Sequence, residues 1–389
     1  MRGFPLLMVW LVACGGESEA VFDVTAGDAL ASETESETES EVESEVESEV
    51  ESEVEVEVEV EVESQVESQV ESEVESEVEF EIETESESET ETESESESEV
   101  PEPCATPGPE LPAPVASDLS TLPATTPGHV RGVWFTPSDR PFAPGLHARL
   151  DAWLRLANAF FGDELARWTG TAREFSPQLG PDGLWDVVYL RGAHDAAWYA
   201  SHPTAGDAPG EALAEIFARL PAEFHRDAVL VYFYDLATQD GVHLVNTGQG
   251  GSAAPWMGEH AGYVLMGSHV LGFGYDTIAL DPTAQRCVFD DTTPAGLEDW
   301  DGDQIWRMLD RGEWASTFVG ASVHELGHAF GLEHVFDDAD GDGVENNVMG
   351  LGLRRFGGRY TQRLPQPPTL LGPTSAAVLA PHPFLHPRP

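Results

Sequence analysis

Lysine is absent from this chain of 389 residues, and its 18 basic residues, all arginine, stand against 72 acidic ones for a formal charge of -54. A balance of that sign repels phosphate backbones and anionic headgroups, so nucleic acid and acidic membrane surfaces are excluded as electrostatic partners. Cysteine is nearly absent too, with Cys14, Cys104 and Cys287 the only three. The N-terminal apolar run Phe4 to Ala13 falls short of the roughly 20 residues that span a bilayer. Bases are missing altogether from residues 31–100, which hold 32 of the acids, whereas residues 129–389 carry 33 acids against 17 arginines. The later portion is therefore mildly acidic, and its length suits one domain of about 250 residues or two small ones.

What is present at the N-terminus is a single charge at Arg2, the apolar run, and then Leu11, Val12, Ala13 and Cys14. A run of that length reads as the core of a signal peptide. Its ending resembles the lipobox of bacterial lipoproteins, which implies cleavage after residue 13, lipidation of Cys14 and a mature N-terminal stretch of 14–30. The expected location is the bacterial cell envelope, as an outer-membrane or cell-surface lipoprotein whose acyl chains anchor it to the membrane without crossing it. Residues 31–100 alternate glutamate with serine, valine or threonine. The two-residue period formally suits a strand, but it would line like charges along one face, so a solvated, disordered acidic tether is expected. At about 3.3 Å per residue such a segment reaches on the order of 200 Å when fully stretched. A weak cation-collecting tail is the other reading. The proline-rich stretch 101–128 follows as a stiffer linker.

The folded region is expected to begin near residue 129. Val130 to Phe135 reads as a strand, and Pro144 to Trp168 carries Leu146, Leu150, Leu154, Ala157 and Phe161 at helical spacing. Strand 186–192, helix 210–220 and the continuous apolar strand 228–237 come next, with strand candidates around 262–270 and 276–281. This order implies an α/β (α+β) domain with a mixed, mostly parallel sheet over 129–389.

The densest chemistry lies at 324–334, HELGHAFGLEH. On a helix, His324 and His328 are stacked at i and i+4, so two imidazoles converge on one point. Glu325, beside that face, can reach a water at a metal without being a ligand. Gly331 lets the backbone leave the helix, and His334 can then return as a third nitrogen ligand. Three neutral imidazoles leave a position open on Zn(II), the catalytic rather than the structural pattern.

These residues resemble the metzincin zinc endopeptidases, whose signature is HExxHxxGxxH followed by a methionine turn. Asn347, Val348, Met349 and Gly350 occupy the place of that turn, and the wording of the motif is most similar to the matrixins. The resemblance implies a zinc-dependent endopeptidase acting on protein or peptide substrates, with Met349 as the apolar floor beneath the metal. It also implies that the strand before the metal helix is a sheet edge that pairs with an extended substrate, and 262–269 is expected there. Leu351 stands where astacins and serralysins carry a tyrosine that adds a zinc ligand.

The stretch between His334 and Met349 is longer than in matrixins, and acidic. Asp338, Asp340 and Asp342 with Gly343 reproduce the first half of a calcium loop, but Met349 occupies the twelfth position, which excludes an EF-hand. A Ca(2+) site and a merely solvated loop both stay open. A second cluster, Asp299, Asp301, Asp303 and Asp310, lacks the required glycine. His243, His260 and His269 read first as surface or internally satisfied histidines, with lining the cleft as the alternative. Cys104 and Cys287 are candidates for a disulfide or for unpaired thiols, and the resemblance to matrixins, whose propeptides block the zinc with a cysteine, adds a latency role for Cys104 as a further reading. The competing functional readings are a surface-displayed, zinc-containing binding or adhesion module, and a zinc hydrolase acting on another bond.

Overall fold

The structure, a computed structural model, describes residues 7–12, 19–24 and 111–388, apart from 203–209, 246, 273–275, 301–305 and 336–344. Cys14, Cys104, the glutamate repeat and Asp338, Asp340 and Asp342 lie outside the described residues. The chain divides into two units, Ala26–Pro101 and the remainder, and only the second contains described residues.

β1 (Leu7–Val12) and β2 (Glu19–Val24) pair as an antiparallel hairpin. β3 (His129–Thr136), α1 (Leu146–Thr169), β4 (Arg173–Pro177), β5 (Val187–Arg191), α2 (Ala196–Ser201), α3 (Gly210–Arg219) and α4 (Ala222–His225) come next in the described chain. Next come β6 (Val229–Tyr234), β7 (Thr238–Asp240), β8 (His243–Val245), β9 (Gly250–Ala253) and β10 (Gly262–Gly267). The chain ends with α5 (Gln285–Phe289), β11 (Pro294–Trp300), β12 (Trp306–Asp310), α6 (Arg311–Ala329), α7 (Pro373–Leu379) and β13 (Leu385–Pro387).

The main sheet is mixed and mostly parallel, in the order β13-β4-β3-β6-β10-β9. β3 pairs in parallel with β6 along one side and, at successive stretches of the other, with β4 and β5. β6 pairs in parallel with β10, while β9 and β13 run antiparallel to their neighbours. Because successive side chains point to opposite faces, Val229, Val231 and Phe233 pack with α1 and α6, and Leu230, Tyr232 and Tyr234 with α3 and α4. Both faces of β6 are covered, which is why its sequence is apolar without alternation. α1 begins at Gly145 and ends at Gly170, both left-handed. Its Trp153 is fully buried against Trp185 and Phe233 and donates its indole N–H to Ser322 Oγ of α6 at 2.7 Å, joining the two long helices.

Two strand expectations are corrected. Residues 262–269 are not the sheet edge: β10 is interior, hydrogen-bonded to β6 on one side and β9 on the other. The edge is β9, GGSA, whose glycines carry no apolar signal. Residues 276–281 form no strand. Gln285 accepts from the Ala279 N–H and donates to Thr277 O, and Asp281 caps a short 3-10 turn at Pro282–Ala284. Side chains there take the backbone groups a ladder would use. Asp310 of the second acidic cluster caps α6 and pairs with Arg363, so its carboxylate is committed.

β9 and β10 lie flat on α6. A methyl at Gly251 would collide with the backbone carbonyl of Glu325, and one at Gly262 with that of Ala329. Neither neighbour is a side chain that can swing aside. Gly262→Ala is therefore expected to destabilise the domain by about 1–3 kcal/mol, read as a lower urea midpoint at unchanged m value.

Candidate metal centre

α6 starts with a capping box, in which Asp310 Oδ1 accepts the Glu313 N–H and Glu313 Oε2 accepts the Asp310 N–H. It ends at Gly331, whose φ of +84° lies in the left-handed region that glycine tolerates. The Leu332 N–H bonds back to Gly327 O at 3.0 Å and the Gly331 N–H to His328 O at 2.9 Å. That pair of bonds is a Schellman ending, and it turns the chain so that His334 faces the two helical histidines. Nitrogen atoms of His324, His328 and His334 all lie within 4.8 Å of one another.

Two backbone carbonyls fix how two of these rings are protonated. His324 Nδ1 lies 2.7 Å from Val348 O, and His328 Nδ1 lies 2.7 Å from Leu332 O. A carbonyl only accepts, so each Nδ1 carries the hydrogen and each Nε2 presents a lone pair. The two Nε2 atoms are 3.0 Å apart. Lone pairs at that distance repel unless a cation lies between them. A proton is disfavoured there, because burial and the neighbouring His328 push His324 down to about 3, and burial pushes His328 down to about 4. Burial lowers His334 as well. The donor set therefore fits a metal ion that takes neutral imidazoles, with both remaining ring nitrogens held by protein groups.

Met349 is fully buried with its sulfur against Gly327, between the turns that carry His324 and His328. The Met349 N–H is held by Asn347 Oδ1 at 3.0 Å, and Met349 O accepts the Val335 N–H at 3.0 Å, tying the turn to the segment that carries His334. Glu325 is 2% exposed and adjoins β9 through its backbone. Leu351 is exposed beside the turn, and its N–H is held by Glu345.

The other histidines are not part of this cluster. His269 is fully buried under the first half of α6, against Phe318 and Trp314, and burial pushes it down to about 3. His260 faces His382 on the surface, and His243 is exposed on β8. Cys287 is disulfide-bonded. Among the described residues no helix is long and apolar enough to cross a membrane. Sequence reasoning placed Asp310 in an acidic cluster and missed its capping role with Glu313, although D-x-x-E ahead of an apolar helix is a readable capping signal. It also missed the pairing of Asn347 with Leu370, which has no local signature.

No family model and no curated protein matches the chain. Similar solved structures include OgpA from Akkermansia muciniphila, solved in complex with an O-glycopeptide substrate, at 18% identity and a TM-score of 0.42 over 66% of this chain. The chain spans 61% of the length of that protein. Archaemetzincin from Methanopyrus kandleri is similar at 14% identity and a TM-score of 0.25, over 58% of this chain and 86% of its own.

Histidines held neutral by burial have a stability cost in acid. The unfolded chain protonates them near 6.5 and the folded one only near 3 to 4, so the unfolded state gains protons first as the pH falls. Stability of the metal-free protein is thus full above about 6.5 and declines below it, at up to about 1.4 kcal/mol per pH unit for each wholly buried histidine. Urea midpoints measured from pH 7 to 5 should fall, and His269→Asn should flatten that slope by one histidine's share.

Proposed function

We propose that the chain is a zinc-dependent endopeptidase. The observation that carries this reading is the pair of Nε2 lone pairs 3.0 Å apart, each presented by a ring whose Nδ1 hydrogen is held by a backbone carbonyl. His324, His328 and His334 would hold the ion, and zinc bound by three imidazoles supplies Lewis acidity to a peptide carbonyl and acidifies water at its open position. Glu325, next to His324, takes the proton of the attacking water and returns it to the leaving amine. Its near-complete burial keeps competing solvent from that exchange. Met349 and Gly327 close the site from below with apolar atoms. The edge strand β9 offers backbone groups along which an extended peptide can add as a further strand. Among the described residues its outer side pairs with no strand.

The purified protein should cleave an unstructured protein substrate, lose that activity to a zinc chelator and regain it with added zinc. Glu325→Gln should lower kcat by about 10²- to 10⁴-fold while zinc still binds stoichiometrically. Wild-type turnover by Glu325→Gln would show that the proton is handled elsewhere.

The envelope assignment belongs to the same proposal. Lipidation of Cys14 would anchor the chain, and the base-free acidic segment 31–100, repelled by anionic headgroups, would hold the peptidase away from the surface. Detergent phase partitioning of protein expressed in a bacterial host should place the wild type in the detergent phase and Cys14→Ala in the aqueous phase.

A further inference from the structure

We infer that Glu164 of α1, far in sequence from the motif, is a positioning residue for the ligand His324. Glu164 is 3% exposed, and both of its carboxylate oxygens are engaged. Oε1 pairs with Arg359 at 2.5 Å, and Oε2 accepts the Leu371 N–H at 3.0 Å. Arg359 also donates to Thr369 O at 3.1 Å and lies over the Phe160 ring. Carboxylate and guanidinium together grip residues 369–371 at both ends. The residue between, Leu370, donates its N–H to Asn346 O at 2.9 Å, and its carbonyl accepts the Val348 N–H at 2.7 Å. The carbonyl of Val348 is the group that holds His324 Nδ1. A continuous path of hydrogen bonds therefore runs from Glu164 through Leu371, Leu370 and Val348 to the imidazole. Each link fixes the next to within hydrogen-bonding distance.

Burying an ionised carboxylate costs free energy unless every oxygen is satisfied. Pinning 369–371 to α1 alone would need no charge. A charged clamp resists displacement more than neutral bonds do, and what it steadies here is the segment whose Val348 carbonyl sets both the direction of the His324 ring and which nitrogen carries its hydrogen. Partners that orient a ligating imidazole are worth about 10- to 100-fold in metal affinity. The consequence for affinity rests on the zinc reading above, whereas the consequence for the Val348 backbone does not.

The experiment uses the full-length protein as wild type, Glu164→Gln and Glu164→Ala. Glu164→Gln keeps an acceptor for the Leu371 N–H but loses the ion pair. In the metal-free protein, amide exchange at Val348 should quicken about tenfold in Glu164→Ala and less in Glu164→Gln, while exchange at Val231 in the sheet core stays unchanged. Zinc affinity, read by competition with a chromogenic chelator, should weaken in the same order, by about tenfold for Glu164→Ala. Unchanged Val348 exchange and zinc affinity in folded Glu164→Ala would overturn the inference. So would a parallel rise at Val348 and Val231, which marks a merely structural role. If Glu164→Ala does not fold, Glu164→Gln decides, and wild-type values for it overturn the proposal. Failure of the wild type to bind zinc would instead sink the metal reading, and the exchange comparison would still report on the Val348 path.

Discussion

Everything about the site depends on two imidazole lone pairs being forced together. In isolation His324 and His328 would relieve the contact by rotating or by exchanging tautomers. Here neither ring has that freedom, because Val348 O and Leu332 O hold the Nδ1 hydrogens and burial opposes adding another proton. The two carbonyls come from different pieces of chain. Leu332 is placed by the left-handed ending of α6 at Gly331, and Val348 by the turn from Asn347 to Gly350 that carries Met349. The fold therefore has to deliver three things to one point: the end of a helix, the chain leaving it, and the turn at Asn347 to Gly350.

The rest of the domain can be understood as support for that delivery. Gly251 and Gly262 let β9 and β10 lie directly on the backbone of α6, so the helix is seated on the sheet by its main chain. Trp153 binds Ser322 two residues before His324, and Phe330, between His328 and Gly331, packs on Phe161 and Phe175. On the far side, the Glu164–Arg359 pair pins residues 369–371, which lie beside the methionine turn. Rigid surroundings of this kind are what a metal centre needs, since ligand geometry is set by the packing around the rings and not by the rings themselves.

The strongly patterned elements were legible in the sequence. The helix at 146–169 showed in its apolar spacing, and β6 in a continuous apolar run that only a doubly covered strand carries. The motif placed the ligating types at helical spacing, with glycine where the helix has to end. The weakly patterned elements were not legible. β9 is four small residues, and nothing in GGSA announces a sheet edge. The segment 276–281 has strand-like composition, yet Gln285 and Asp281 claim its backbone. β13 and residues 369–371 owe their structure to partners about 200 residues away, and no local window contains that information.

The sequence by itself determined which groups could meet a cation, because i and i+4 spacing on a helix is a property of the backbone, and so is a glycine that exits it. It also determined the absence of any basic charge along 31–100, since charge is a matter of composition. Only the tertiary structure decided that His324 and His328 carry their hydrogens on Nδ1 and that burial opposes a second proton on either ring. Tautomer and proton affinity depend on burial and on carbonyls from distant segments. It likewise decided which strand is the edge and that a carboxylate on α1 holds residues 369–371 beside the methionine turn, because both are set by long-range pairing that no local pattern encodes.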